Sequence, residues 1–183
     1  MNPSPSKQWS WDAQKHSHVQ DVLMDASIDP EWCDRLEKST DDTVVGMLLC
    51  VCAATAIARA VFLAESSIAG PSEARAPLEL LENWIDNPTA ESFEGLCRFI
   101  FEDAEANTGN DLPEAVWWAI RTAASSAGNY EASWALRGTW DAAMRAGASP
   151  AQLARVMQNA VLSRRNAGKL SSGSSYTAFR AVC

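Results

Sequence analysis

With 183 residues, 47 % of them hydrophobic and 21 % charged, the chain has the composition of a folded domain with its own core, which excludes wholesale disorder. A formal net charge of −8 argues against general nucleic-acid binding. Two histidines and five cysteines without a CxxC pair exclude the common structural zinc patterns.

Residues 1–26 are expected to form a mostly disordered polar tail, broken by Pro3 and Pro5, with Trp9 and Trp11 as docking points. Its first stretch, MNPSPSKQWSWDAQKHSHVQ, lacks the apolar run of a signal peptide. A short helix follows in SIDPEWCDRLEK, with Asp29 as cap and Pro30 in the first helical position. DDTVVGMLLCVCAATAIARAVFLAESSIAG comes next, opened by Asp41 and Asp42 and closed by Gly70-Pro71. Its apolar run from Thr43 to Ala58 stops at Arg59, short of the roughly 20 residues that span a bilayer. The run is rich in Ala, Thr, Cys and Gly, so a buried central helix is expected and not a membrane helix.

Further helices are punctuated in order. PSEARAPLELLENWIDN runs to Asn87-Pro88, and PTAESFEGLCRFIFEDAEAN carries a stripe of Phe93, Leu96, Cys97, Ile100 and Ala104. DLPEAVWWAIRTAASSAG opens with Asp111 and Glu114 at capping-box spacing and closes at Gly128. NYEASWALRGTWDAAMRAG closes at Gly147. SPAQLARVMQNAVLSRRNAG opens with a second box, Ser149 and Gln152, and bears the stripe Leu153, Val156, Met157, Ala160 and Val161. No alternating run or hairpin dipeptide marks a strand. The expectation is an all-α chain: a single-domain bundle of six or seven antiparallel helices over residues 27–168, followed by a Ser/Gly-rich tail at 169–183. ENWIDNPTAESFEGLCRFIF and GTWDAAMRAGASPAQLARVM echo one another as tryptophan, Pro-containing turn and amphipathic helix, which suggests construction from helical hairpins.

Charge is divided unevenly. Residues 1–110 carry 7 Lys/Arg against 19 Asp/Glu, and residues 111–183 carry 8 against 4. The halves are expected either to attract each other or to face different partners; the arginines of the last helix, Arg155, Arg164 and Arg165 with Lys169, are expected to meet the acidic helices at 72–106, the alternative being that they stay free and hold an acidic partner or an anion. The cysteines are expected to be buried thiols in a reducing cytoplasm. No GxSxG, HExxH, GxGxxG or P-loop pattern occurs, and His16 and His18 lie in the tail, a poor place for a preorganised acid or base. Glu102, Asp103, Glu105, Asp111 and Glu114 cluster in sequence, but a solvated face is the simpler account than a metal site. No catalytic residue, metal ligand or cofactor is assigned.

The tryptophans carry the most information. Trp117 and Trp118 are neighbours about 100° apart on a helix, so they cannot share one narrow stripe. One is expected in the core with Val116 or Ile120 and the other in a second layer or at a surface patch. Trp134 and Trp140 lie about 120° apart around their helix, and Gly138 opens a notch beside Trp134. Arg121 and Arg137 add cations, and aromatic plus arginine is the composition of interface hot spots. The candidate binding residues are therefore Trp117, Trp118, Arg121, Trp134, Arg137 and Trp140.

The segment PLELLENWIDNPTAESFEGLCRFIFEDAEA…PEAVWWAIRTAASSAGNYEASWA, about residues 77–135, resembles a group of uncharacterised Ala- and Trp-rich helical bacterial proteins. Some of these look like immunity proteins, and others occur near contractile (type VI) secretion genes. The resemblance implies an all-helical fold and protein–protein work, and it carries over no catalytic residue. A non-enzymatic cytoplasmic binding module is the leading expectation, an adaptor or immunity-type partner of another protein that binds neither nucleic acid nor membrane. The alternatives are a small-molecule-binding or catalytic bundle with a Trp-lined pocket beside the acidic cluster, and a structural homodimer sealed by its Trp-bearing face.

Overall fold

The computed structural model describes residues 21–22, 31–39, 43–69, 75–86, 94–95, 98, 114–127 and 132–166. Among them the secondary structure is all-helical, with no strand. Six helices are bounded: α1 Glu31–Glu37, α2 Thr43–Ala69, α3 Arg75–Asp86, α4 Glu114–Ala127, α5 Ala132–Arg145 and α6 Pro150–Asn166. Residues 94, 95 and 98 are helical as well, but the expected helix at 88–107 otherwise lies outside the described residues, as does the tail at 169–183. Of the expected polar tail at 1–26 only residues 21–22 are described, and they are helical, with the Trp32 indole N–H donating to Val22 C=O at 2.9 Å.

Helix α2 is the hub. It packs against α1, α3, α4, α5 and α6. Every residue from Leu49 to Thr55 is buried, so inward-facing positions run right round the helix. Gly46–Ala64 is the one stretch among the described residues long and apolar enough to cross a membrane, and 61 % of it is buried inside the protein. Arg59, which interrupts its apolar run, grips Glu82 of α3 with both ends of its guanidinium and lies over Phe62, its carbon 5.7 Å from the ring centroid. The one charge on this part of α2 is thus met by a protein carboxylate. Thr55 gives its hydroxyl proton to the carbonyl of Val51 at 2.8 Å, which satisfies a buried polar group within the helix.

The outer helices are amphipathic in the expected manner. α3 buries Leu78, Leu81, Trp84 and Ile85; α4 buries Ala115, Val116, Ala119, Ile120 and Ala123; α5 buries Ala135, Leu136, Trp140, Ala142 and Ala143. In α6 Leu153, Met157 and Val161 are buried, while Val156 and Ala160 are half-buried at the margin of the stripe. Trp84 and Trp140, the two tryptophans of the sequence echo, both sit in the core.

The α5–α6 turn follows its local signals. Gly147 has φ 96°, a conformation glycine adopts without a Cβ penalty. Ala148 N–H donates to Ala143 C=O and Gly147 N–H to Met144 C=O, both at 3.0 Å, which closes α5 as a Schellman motif. Ser149 then caps α6: its N–H donates to Gln152 Oε1 at 2.9 Å, and its hydroxyl accepts from Gln152 N–H at 3.3 Å.

Among the described residues, two polar contacts join the acidic and basic parts of the chain. Arg137 of α5 is paired with Asp34 of α1. The Glu37 carboxylate accepts the N–H groups of Ala132 and Ser133 at 3.1 and 3.0 Å, capping α5 from a residue 95 positions away. Arg155 is exposed and pairs with no described carboxylate, and Arg164, Arg165 and Lys169 lie outside the described side chains. Glu37→Ala removes a charged acceptor from two helix N–H groups, so a loss of about 1–3 kcal/mol is expected. Denaturant unfolding measures it, and Glu37→Gln is expected to recover part of the loss through its side-chain oxygen.

Candidate functional site

Helices α4 and α5 pack side by side. The buried face of α4 is built from Ala115, Val116, Ala119, Ile120 and Ala123, and that of α5 includes Ala135, Leu136, Trp140, Ala142 and Ala143. Trp117 and Trp118 lie off the buried face of α4, because residues at i, i+1, i+4, i+5 and i+8 already take up its inward side. Neither is in the core, contrary to the expectation that one of them would be: both are half-buried. They still differ in role. Trp118 packs against the core, whereas Trp117 lies outside it.

Gly138 makes room for this arrangement. A Cβ at that position would lie 2.4 Å from Cδ2 of Trp118. The notch on α5 is thus filled by Trp118 of the neighbouring helix, whereas the sequence pointed to Trp134 beside it. Trp134 stands over the same ring edge-on, with centroids 5.2 Å apart, and Trp117 makes a second edge contact with Trp118 at 5.1 Å. Arg121, one turn on from Trp117 and Trp118, lies over all three indoles, its guanidinium carbon 4.6 Å from the Trp117 centroid, 5.5 Å from Trp118 and 5.7 Å from Trp134.

The opposite end of the patch is closed by charge. Arg145 of α5 grips Glu114 of α4 with two hydrogen bonds of 3.1 and 2.6 Å, and the Trp118 indole N–H reaches the same carboxylate at 3.4 Å. Glu114 faces Arg145 while Arg121 faces Trp134, so α4 and α5 run in opposite directions here. The Arg145 guanidinium, and next the Trp118 N–H, hold the Glu114 carboxyl below the usual carboxylate range. A lowered value in the folded state means that the contact is complete above the ordinary carboxylate pKa and is lost as pH falls through the depressed one. The indole N–H resonance of Trp118, followed by NMR, is expected to titrate with a midpoint below that of an ordinary glutamate, and Arg145→Gln to move the midpoint upward.

Of the six candidate residues, the structure thus brings together Trp117, Trp118, Arg121 and Trp134. Trp134 is 53 % exposed, the most exposed aromatic side chain described. The other two stand elsewhere. Trp140 is buried in the core at 5 % exposure, and Arg137 is held on α1 by Asp34. The physical reason is the turn of α5: Trp134 and Trp140 lie about 120° apart around the helix, so the face that presents Trp134 to solvent is not the one that carries Trp140 into the core. Glu114, Gly138 and Arg145 belong to the patch and were not singled out as binding residues from the sequence; an i, i+3, i+4, i+7 stripe of Glu114, Trp117, Trp118 and Arg121 was the available signal.

Other chemistry is sparse. Among the described residues no group of His, Cys, Asp and Glu side chains is placed to hold a metal ion. The acids Glu102, Asp103, Glu105 and Asp111 lie outside the described residues. Cys33, Cys50 and Cys52 are buried and in no disulfide. Burial pushes the Cys33 thiol up to about 12, against the opposing pull of Arg137, and raises Cys50 as well, so neither is a thiolate at neutral pH. Compared with protein-family models, curated proteins and solved structures, the chain matches none of them.

Proposed function

We propose that this chain is a non-enzymatic helical binding module for another protein and that its contact surface is the α4–α5 face bearing Trp117, Trp118, Arg121 and Trp134. The observation that carries the reading is the half-exposed Trp134 ring standing on Trp118, which in turn meets Trp117, under an arginine. Aromatic and arginine side chains dominate interface hot spots because they offer large contact area with few rotatable bonds. A cluster used only for packing would bury its largest ring, as Trp84 and Trp140 are buried.

The bundle is proposed to be antiparallel and assembled from helical hairpins, with α5, its Schellman turn and α6 as the best-defined unit. The likeness of residues 77–135 to Ala- and Trp-rich bacterial proteins supports an adaptor or immunity-type partner working in the cytoplasm. Arg59 paired with Glu82, in the middle of the most apolar helix, supports a helix buried in protein and not in lipid.

The experiment is differential capture. The intact chain, Trp134→Ser and Leu63→Ser, an exposed apolar position on α2, serve as baits in extracts of the native host. All three are expected to melt at the same temperature. A protein retained by the intact chain and by Leu63→Ser, and lost at least about tenfold by Trp134→Ser, is the expected result for a hot-spot residue. Equal retention by all three baits contradicts the reading.

A further inference from the structure

Among the described residues Arg121 shares with Arg155 the lack of a carboxylate partner and differs from it in lying over aromatic rings. Arg75, Arg98 and Arg145 each face a carboxylate of this chain, as do the partly buried Arg59 and Arg137. Arg121 is exposed and faces three rings and no described carboxylate. The nearest acid on its own stripe, Glu114, is committed to Arg145.

A guanidinium over an aromatic face keeps its N–H groups in the plane of the cation, where they form the two-pronged hydrogen bonds that match a carboxylate. The indoles restrict its rotamers before any partner arrives, and they displace water from one face, which strengthens an ion pair made at the edge. The same arrangement works against a cationic ligand, since Arg121 already takes the position that a bound ammonium would need over the rings.

Resting on the docking surface proposed above, we infer that Arg121 reads an acidic residue: the partner segment that fits this face presents an Asp or Glu carboxylate to Arg121 and an apolar side chain next to it on Trp134. The argument is charge complementarity. An exposed cation that faces no described carboxylate stands at the rim of an exposed apolar ring, and it lies in the part of the chain where basic residues outnumber acidic ones by 8 to 4.

Phage-displayed random dodecapeptides selected on the full-length protein, with Trp134→Ser as counter-target, test this without knowledge of the natural partner. The expected result is a set of peptides with Asp or Glu beside an aliphatic or aromatic residue. Arg121→Gln is expected to weaken these peptides about tenfold while leaving the melting temperature unchanged, and changing their acidic residue to the amide is expected to weaken binding to the same degree. Peptides that need Trp134 yet show no acidic preference, or that bind Arg121→Gln equally well, overturn the inference and leave the docking surface standing. Selection of no peptide that depends on Trp134 overturns both. Sedimentation velocity at high protein concentration adds a last outcome: a dimer dispersed by Trp134→Ser would make a second copy the occupant and would also overturn the acidic-partner assignment.

Discussion

Trp84→Ala is expected to lower the stability of the fold by about 3–5 kcal/mol, and Trp134→Ala by less than about 0.5 kcal/mol, although the two substitutions remove the same side chain. Trp84 is 1 % exposed and lies in the core, where truncation leaves a void that the surrounding helices cannot close. Trp134 is half-exposed and makes an edge contact with Trp118, so removing it uncovers one indole without opening the interior. Thermal or denaturant unfolding of the two variants measures the contrast. A loss for Trp134→Ala close to that of Trp84→Ala would mean that the ring is structural and would remove the basis for treating the α4–α5 face as a surface for a partner.

Gly46→Ala is expected to cost about 3 kcal/mol, near the upper end for a core overpacked by one methyl group. The Cβ added there would lie 2.1 Å from the carbonyl oxygen of Glu37. The obstacle is backbone, not the flexible end of a side chain, so α1 must move off α2. Glu37 also caps α5, which ties the displacement to the loss of two hydrogen bonds at the start of the helix that carries Trp134. Gly46→Ala is therefore expected to destabilise the fold and to weaken protection of the Ala132 and Ser133 amides against hydrogen exchange. Unchanged protection of those amides would show that α1 relaxes without disturbing α5.

Features written in local sequence were legible before the structure. The Ser149–Gln152 box and the turn at Gly147 depend on residues a few positions apart, and both occur as expected. The burial of α2 followed from its composition and from Arg59, whose counter-ion on α3 was not foreseen. Features that depend on which helix lies beside which were not legible. The Glu37 cap, the Asp34–Arg137 pair and the occupant of the Gly138 notch each join residues far apart in sequence. Helical periodicity separated Trp134 from Trp140 but could not say which of them faced solvent. For Trp117 and Trp118 the expectation of a core indole failed because the inward face of α4 is taken by Ala115, Val116, Ala119, Ile120 and Ala123, and which face turns inward depends on the helices packed around it.

The candidate site is the meeting of one legible stripe, Glu114, Trp117, Trp118 and Arg121, with one illegible neighbour, the face of α5 that presents Trp134, Gly138 and Arg145. Its central claim is that another protein covers Trp134. Tryptophan oxidation by hydroxyl-radical footprinting, compared between the purified chain and the chain in its native cells, tests this most directly. The account predicts that Trp134 is the most rapidly oxidised of the described tryptophans in the purified protein and that it is selectively protected in cells, with Trp117 and Trp118 following it and exposed Leu63 unchanged. Equal oxidation of Trp134 in both settings, or protection confined to other surfaces, would contradict it.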